Sequence, residues 1–468
     1  MNIAIASSVD RLEQTIFAGL MAVLVWAPLP FGSNREWAGA LLCALVSALL
    51  LAWLVLALFG RARFDTRLWQ IARWPLLLLT LVQLWVVVQL LPLPRGLVQV
   101  VSPRAYAWHL AEGPLRLSLD PAAGYYYLLR GCAVTVGFFL VLALVNSQQR
   151  VKLMLQVLVF SGTMQAAYGA FMVLSGLELG FLVEKYVGKG VTTGTFVNRN
   201  HLAGYLVLCL SAGIGLQMSQ LVSVEQKRWR DRLRGWLELM LSAKFRLRVY
   251  LAVMVVALVL TRSRMGNIAF FSALAAAGLI TVINGRQFSW RLVLFLGSLL
   301  VVDVLILGRW FGFDKLMARL EQTGAQPVVE QGRYWLDTYT FDYIRDFFLT
   351  GSGGGSFYGV FPSYQGPSLP GFYEHAHNDY LEFSAELGVP IMCVLLVFVG
   401  LAGRQAIAVL RQRRTPLYRG AAFAVLMSIA WAALHSLADF NLQIPANALT
   451  FTSIMALAFS CRMLPASR

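Results

Sequence analysis

Apolar residues occur along this chain in long runs, not at every second position or on one helical face. Runs close to the roughly 20 residues that cross a hydrocarbon core recur at 15–32, 37–59, 74–92, 125–145, 152–175, 201–222, 246–262, 265–284, 290–308, 381–403, 418–437 and 445–462. In lipid each such segment must satisfy its backbone internally, so the runs predict helices. The expected fold is an all-α polytopic membrane protein of about twelve transmembrane helices. The first run ends with Pro28 and Pro30, and Arg35 rather than a small-x-small cleavage site comes after it, so a retained helix is expected there.

Composition narrows this picture. The 468 residues are 58% hydrophobic and 13% charged, against about 45–50% and 25% in soluble domains. A water-soluble multidomain enzyme and a disordered chain are excluded. The net charge of +16 would suggest nucleic acid in a soluble protein, but its placement follows topology. With a cytoplasmic N-terminus and alternating spans, the cytoplasmic side takes Arg61, Arg67, Arg73, the basic run from Lys227 to Arg248, and Arg404 to Arg419. The outer side is left near neutral, as the positive-inside rule requires. An even span count puts both termini in the cytoplasm. The five cysteines fall in or beside the runs, so neither an external disulfide framework nor a zinc spacing is implied.

Polar chemistry concentrates in three outer segments, 93–124, 176–200 and the largest, 309–380, expected to face the periplasm. The chain divides into helices one to nine (1–308), a large, partly helical periplasmic loop (309–380) between helices nine and ten, and the last three helices (381–468), all within one integral domain. In the loop, Phe313, Leu316, Met317 and Leu320 have amphipathic spacing, which predicts a helix on the membrane surface beside Trp310 and Phe311. A second helix is expected over about 333–348. The glycine-rich stretch 351–356 then breaks it. This stretch lacks the Gly-Lys-Ser/Thr ending of a phosphate loop and is read as a flexible turn near a site.

Four clusters carry candidate chemistry. The first is Glu374-His375-Ala376-His377-Asn378-Asp379-Tyr380-Leu381-Glu382, with Glu386 one turn on. A histidine there suits a general base, oriented by a neighbouring carboxylate. A His-x-His metal site or a polar helix cap are the alternatives. The second is Thr261-Arg262-Ser263-Arg264, whose guanidinium groups at the membrane boundary suit phosphate, or simply snorkel. The third is Gly332-Arg333-Tyr334-Trp335, where Arg333 either faces the same site or pairs with Asp337. The fourth runs from Thr193 to His201. Its hydroxyls and the amides of Asn198 and Asn200 suit sugar or phosphate, or Asn200 caps the next helix. Asp303, inside the ninth run, is either functional or an inert neutralised acid.

Together these residues resemble the O-antigen ligase superfamily of lipopolysaccharide O-antigen ligases, Wzy-type polysaccharide polymerases and protein O-oligosaccharyltransferases. His377-Asn378 followed by Gly388 is similar to its His-Asn-x9-Gly signature, and Thr261 to Arg264 to its Thr-x-Ser-Arg element. The 193–201 segment, and Gly332 to Trp335 with the later 351–364 stretch, resemble its other two elements. Ile391 stands where the ligase pattern prefers Gly, Thr or Tyr, which favours a polymerase over a ligase.

The resemblance implies a metal-independent, inverting glycosyltransferase in the bacterial inner membrane with its site on the periplasmic side. It would need no cofactor. The donor would be a glycan on undecaprenyl pyrophosphate, and the acceptor a hydroxyl of a glycan, of lipid A-core or of a protein. His377 would be the base, and Arg264 and Arg333 would stabilise the departing pyrophosphate. His375, Asn378, Glu382, Arg262, Asn198 and Asn200 would bind or position substrate. A competing expectation is a bicarbonate-type solute transporter. That class places its polar groups on broken helices at the bilayer midplane, whereas here they lie at the outer edge.

Overall fold

In the computed structural model, residues 2–62, 64–109, 113–185, 187–221, 243–284, 297 and 327–465 are described. They form α1 (Asn2–Trp26), α2 (Glu36–Leu58), α3 (Thr66–Leu90), α4 (Arg95–Val101), α5 (Pro103–Trp108), α6 (Pro121–Leu144), α7 (Gln148–Ser175) and α8 (Arg199–Leu221). These are followed by α9 (Ala243–Leu260), α10 (Arg264–Asn284), α11 (Pro327–Asp346), α12 (Phe357–Val360), α13 (Asp379–Leu387), α14 (Val389–Gln412), α15 (Pro416–His435) and α16 (Pro445–Met463). Among the described residues there is no strand beyond isolated bridges.

Eight of these helices (α2, α3, α6, α7, α8, α10, α14 and α15) are long and apolar enough to cross a membrane. Three more, α1, α9 and α16, occupy the positions of the first, seventh and twelfth expected spans. The ninth expected span with Asp303, the surface helix around Phe313–Leu320, and most of the basic run after Lys227 lie outside the described residues.

The core is built around α8, which is buried along almost its whole length. Small residues allow its closest approach: Gly215 lies directly against Gly420 of α15, backbone on backbone. Dispersion contacts and close approach, not a hydrophobic drive, hold helices together in lipid, so such glycines matter. Cross-links gather one set of helix ends. The Thr192 amide donates to the Leu260 carbonyl at 3.1 Å, and the Thr195 hydroxyl to the Pro28 carbonyl at 2.8 Å. The Trp85 indole donates to the Leu387 carbonyl at 2.9 Å, and the Asn447 amide to the His201 carbonyl at 3.1 Å. The C-terminal ends of α1, α3 and α9 thus meet the N-terminal ends of α8, α14 and α16 at one end of the bundle.

The expected tenth span, 381–403, is instead two helices, α13 and α14, parted at Gly388. Gly388 has φ +86°, and a Cβ there would sit 2.6 Å from the Leu349 carbonyl oxygen. The glycine-rich stretch is the other side of this seam and is not a flexible turn. Ser352 and Gly353 donate their amides to Ala385 and Glu386 at 3.0 Å each, and Val389 donates to Phe348 at 2.9 Å. Gln89 of α3 locks the seam, donating to the carbonyls of Thr350 at 2.7 Å and Glu386 at 2.9 Å. The glycines are there because two backbones touch.

Gly351 has φ +65°, and its Cβ would collide with the Glu386 carbonyl. Gly351→Ala is expected to cost roughly 2–5 kcal/mol, from left-handed strain plus overpacking. Thermal unfolding in detergent checks this; a midpoint equal to wild type would show that the seam yields.

Candidate functional site

The first cluster lies on the loop entering α13 and on its first turns. Asn378 is the helix cap: its side-chain oxygen accepts from the amides of Tyr380 and Leu381 at 3.1 and 3.3 Å. Its polar-cap reading therefore holds, whatever else it does. Glu382, one turn into α13, is buried and reaches back over the loop. One oxygen accepts from the Ala376 amide at 2.8 Å, and the other pairs with His375 Nδ1 at 2.6 Å. Burial alone would lower the His375 pKa. The charge and hydrogen bond of Glu382, with Glu386 and Glu374 behind it, outweigh that and hold the ring above the ordinary histidine value.

His377 has a different partner. Its Nδ1 lies 3.5 Å from the Asp439 carboxylate, an ion-pair distance and not a short hydrogen bond. Asp439 is fully buried between α15 and α16 and also accepts from the Asn441 amide at 3.0 Å. Burial would raise the Asp439 pKa, but His377 and the positive charge available from nearby histidines overcome it and hold the carboxyl down at about 2. His377 has φ +50°, a left-handed conformation that is costly for any residue but glycine. Arg262 shares it at +52°. Strain of this kind persists only where surrounding structure imposes it, and two of the predicted site residues carry it.

Phe440 separates the two pairs. His375 stacks on its ring at 3.9 Å, and His377 and His201 meet its edges at 5.0 and 4.6 Å. His435 follows one turn away, accepting from Trp431 at 3.1 Å. Four of the five histidines thus gather around the link 436–444. Among the described residues, no set of three His, Cys, Asp or Glu side chains converges as metal ligands. The other carboxyls on α13 are set apart by burial. Asp379 accepts from the Ser436 hydroxyl at 2.7 Å, and Glu386 from the Phe357 amide at 3.0 Å. Burial pushes both carboxyls up, Asp379 well above the usual range, and nearby Glu382 adds to each shift.

The remaining clusters meet this end of the bundle with unequal parts. Asn198, not Asn200, caps α8: its side-chain oxygen accepts from the Asn200 amide at 2.8 Å. Thr195 is buried, its amide bonded to Gln165 at 3.0 Å and its hydroxyl to Pro28, so its groups hold the fold and are not left for a sugar. The Thr261–Arg264 turn packs beside it, since a Cβ on Gly266 would strike Ala203 of α8 at 2.7 Å. Arg262 and Arg264 are exposed, as is Arg333 on α11, which packs against α13. Arg333 forms no ion pair with Asp337 within 4 Å; it acts on that carboxyl only through longer-range charge. A cavity of about 260 Å³ opens beside this cluster, lined by Arg130, Tyr358, Glu374, His375, Glu382 and Glu386 among others. His377 is not in its wall.

Sequence reasoning missed Asp439, Phe440 and Arg130, and gave His201, the last residue of the fourth cluster, no role of its own. The signal for the first two was present: an acid and an aromatic in a short outer link between two spans, where neither lipid nor topology calls for an acid.

Two stability predictions follow from this geometry. Asn378→Ala should cost about 1 kcal/mol, and Asn378→Asp should recover most of it, read as unfolding midpoints; no recovery would mean the side chain is not acting as a cap. The His375 pair stabilises the fold fully below pH 6.5, the ordinary histidine value, and loses that contribution as pH rises through the raised folded value. The midpoint gap between wild type and His375→Gln should therefore shrink with rising pH; a constant gap would contradict the pairing.

No curated protein sequence matches the chain. Residues 249–396, from α9 to the middle of α14 and so including the arginine turn, α11, the glycine seam and the His375–Glu382 cluster, match the family model described as O-Antigen ligase. Over this stretch the chain is similar to the O-antigen ligase family.

Proposed function

We propose that the protein is a glycosyltransferase of the bacterial inner membrane. It moves a glycan from undecaprenyl pyrophosphate to an acceptor hydroxyl on the periplasmic side, as a polysaccharide polymerase or an O-antigen ligase. In this reading both termini are cytoplasmic and the bundle has about twelve spans. The observation that carries the proposal is the division of labour around Phe440. One histidine is paired with Glu382, which raises its pKa, and a second faces Asp439 with its other nitrogen uncommitted.

His377 is the base. With Nδ1 toward Asp439, its Nε2 takes the proton of the acceptor hydroxyl, and Asp439 stabilises the imidazolium that forms. The acceptor oxygen then attacks the anomeric carbon from the face opposite the leaving group. The carbon–oxygen bond to the pyrophosphate breaks, and its electron pair leaves with the phosphate oxygen, which inverts the centre. The pyrophosphate already activates the sugar, so no ATP and no metal is needed. Charge growing on the leaving group calls for fixed cations. His375 in its protonated form, with Arg264 and Arg333, fills that role. Both arginines are exposed and lack a carboxylate within ion-pair distance among the described residues. Glu382 holds His375, Asn378 sets the start of α13, and Arg262, Asn198 and Asn200 border the acceptor side.

The test is the glycan profile of a deletion strain complemented with wild type, His377→Ala or Asp439→Asn. His377→Ala should lower transfer about 10²–10⁴-fold, and Asp439→Asn should lower it with unchanged protein level. Loss of long chains from the cell indicates a polymerase, and long chains stranded on the carrier lipid indicate a ligase. A normal profile with His377→Ala overturns the assignment of the base.

A further inference from the structure

The link between α15 and α16 buries a second polar side chain close behind Asp439. Asn441 lies two residues further on and is fully buried, as is Asn447 in the first turn of α16. Water does not reach these amides, so the protein must supply their hydrogen-bond partners. Those partners fix which way each amide points. The Trp431 indole can only donate, and it donates to His435 Nδ1 at 3.1 Å, so that nitrogen is an acceptor. Asn441 Nδ2 also points at His435 Nδ1, at 3.2 Å, and donates to Asp439 Oδ2 at 3.0 Å. Asn447 Nδ2 donates to the His201 carbonyl at 3.1 Å and to Asn441 Oδ1 at 2.9 Å. Turning either amide over would set oxygen against oxygen, at the Asp439 carboxylate or at the His201 carbonyl.

Packing holds Asn441 from a third side. Residue 204 of α8 is glycine, and a Cβ there would collide with Asn441 Oδ1 and lie 2.7 Å from the Trp431 ring. The amide is thus clamped between α8, α15 and α16. Its effect falls on Asp439. Oδ2 of that carboxylate is taken by Asn441, and Oδ1 is the oxygen that faces His377 Nδ1 at 3.5 Å. Oδ1 is buried and has no hydrogen bond of its own among the described residues. Three rings compete for this carboxylate, because His201 and His435 also act on its charge. A carboxylate free to rotate would divide itself among them. Asn441 bridges Asp439 to His435 and keeps those two from pairing directly.

We infer that Asn441, clamped by Asn447 and by the glycine at 204, is a positioning residue: it holds Oδ2 of Asp439 and turns Oδ1 to His377. That keeps the His377 proton on Nδ1 and leaves Nε2 to take the proton of the acceptor hydroxyl. The inference rests on the reading of His377 as the base and names what orients its acid.

The orientation can be measured without turnover. Full-length protein in detergent is treated with diethyl pyrocarbonate across a range of pH, and modification of His377 is followed by peptide mass spectrometry. The reagent attacks only the unprotonated ring, so its rate against pH reports the His377 titration; His109, outside the network, is the internal standard. Asp439→Asn removes the carboxylate charge and should lower the His377 midpoint. Asn441→Leu keeps a branched side chain but no donor, and should move the midpoint in the same direction, by about one pH unit. Asn447→Ala, which leaves Asn441 in place but unclamped, should give a smaller shift of the same sign. In the Asp439→Asn background, Asn441→Leu should add no further shift, because its effect passes through the carboxylate. A purely structural role would shift both backgrounds alike. Circular dichroism and elution volume establish that each variant is folded. An unchanged or raised midpoint in folded Asn441→Leu and Asn447→Ala overturns the proposal, and so does an equal shift in both backgrounds. If that happens while His377→Ala still abolishes transfer, the positioning role falls and the transferase reading stands. If the midpoints shift as expected but transfer survives His377→Ala, the base assignment falls and takes the positioning role with it.

Discussion

The seam between the glycine-rich stretch and the end of α13 is the constraint on which the site depends. Two backbones meet there with no room for side chains, at Gly351 and Gly388, and exchange hydrogen bonds as neighbouring strands would. Gln89 of α3 bonds to both sides. The result is that α13 cannot slide or rotate against the loop. That rigidity matters because α13 carries Asp379, Glu382 and Glu386 in two turns, and each reaches a different partner. A shift of one residue would exchange these partners and leave buried charge unpaired, which costs several kcal/mol.

From that fixed helix the chemistry divides by environment. Glu382 is near enough to His375 to raise its pKa against the effect of burial, whereas Asp439 stands farther from His377 and is held ionised by its surroundings. Two similar rings, two residues apart, thereby sit in different settings, one in a close pair with a carboxylate and one at longer range from another. Phe440 serves both, as a stacking face for His375 and an edge contact for His377. In the proposed reaction, cationic charge for a departing pyrophosphate would come from arginines that lack a carboxylate within ion-pair distance among the described residues. Arg130 is the one built into a cavity wall, and Arg264 and Arg333 are presented from outside it.

Several features that look like substrate-binding groups in the linear chain are structural. The hydroxyl of Thr195 and the side chain of Asn198 close the turn before α8, and Asn378 closes the turn before α13. Helix ends at a membrane boundary leave amides that water cannot reliably satisfy, and short polar side chains are the cheapest remedy. Polar residues at span ends therefore mark caps as readily as sites, and only their partners distinguish the two.

The sequence by itself determined the class of fold, the approximate limits of most spans and the loop–helix stretch that holds the histidines. These follow from local quantities: length of apolar run, charge beside it, and composition of the loops. It also exposed Glu382 as a carboxylate close enough to matter, because one helical turn separates it from Asn378. Tertiary structure alone decided which histidine faces which acid, since Asp439 lies more than sixty positions from His377 and no periodicity connects them. It decided that the glycine stretch is a packed seam, because a glycine needed for close approach reads in one dimension like a glycine needed for freedom. It decided, too, that Arg130 stands in the wall of the polar cavity. A cavity is made by walls from distant helices, and no segment of the chain contains it.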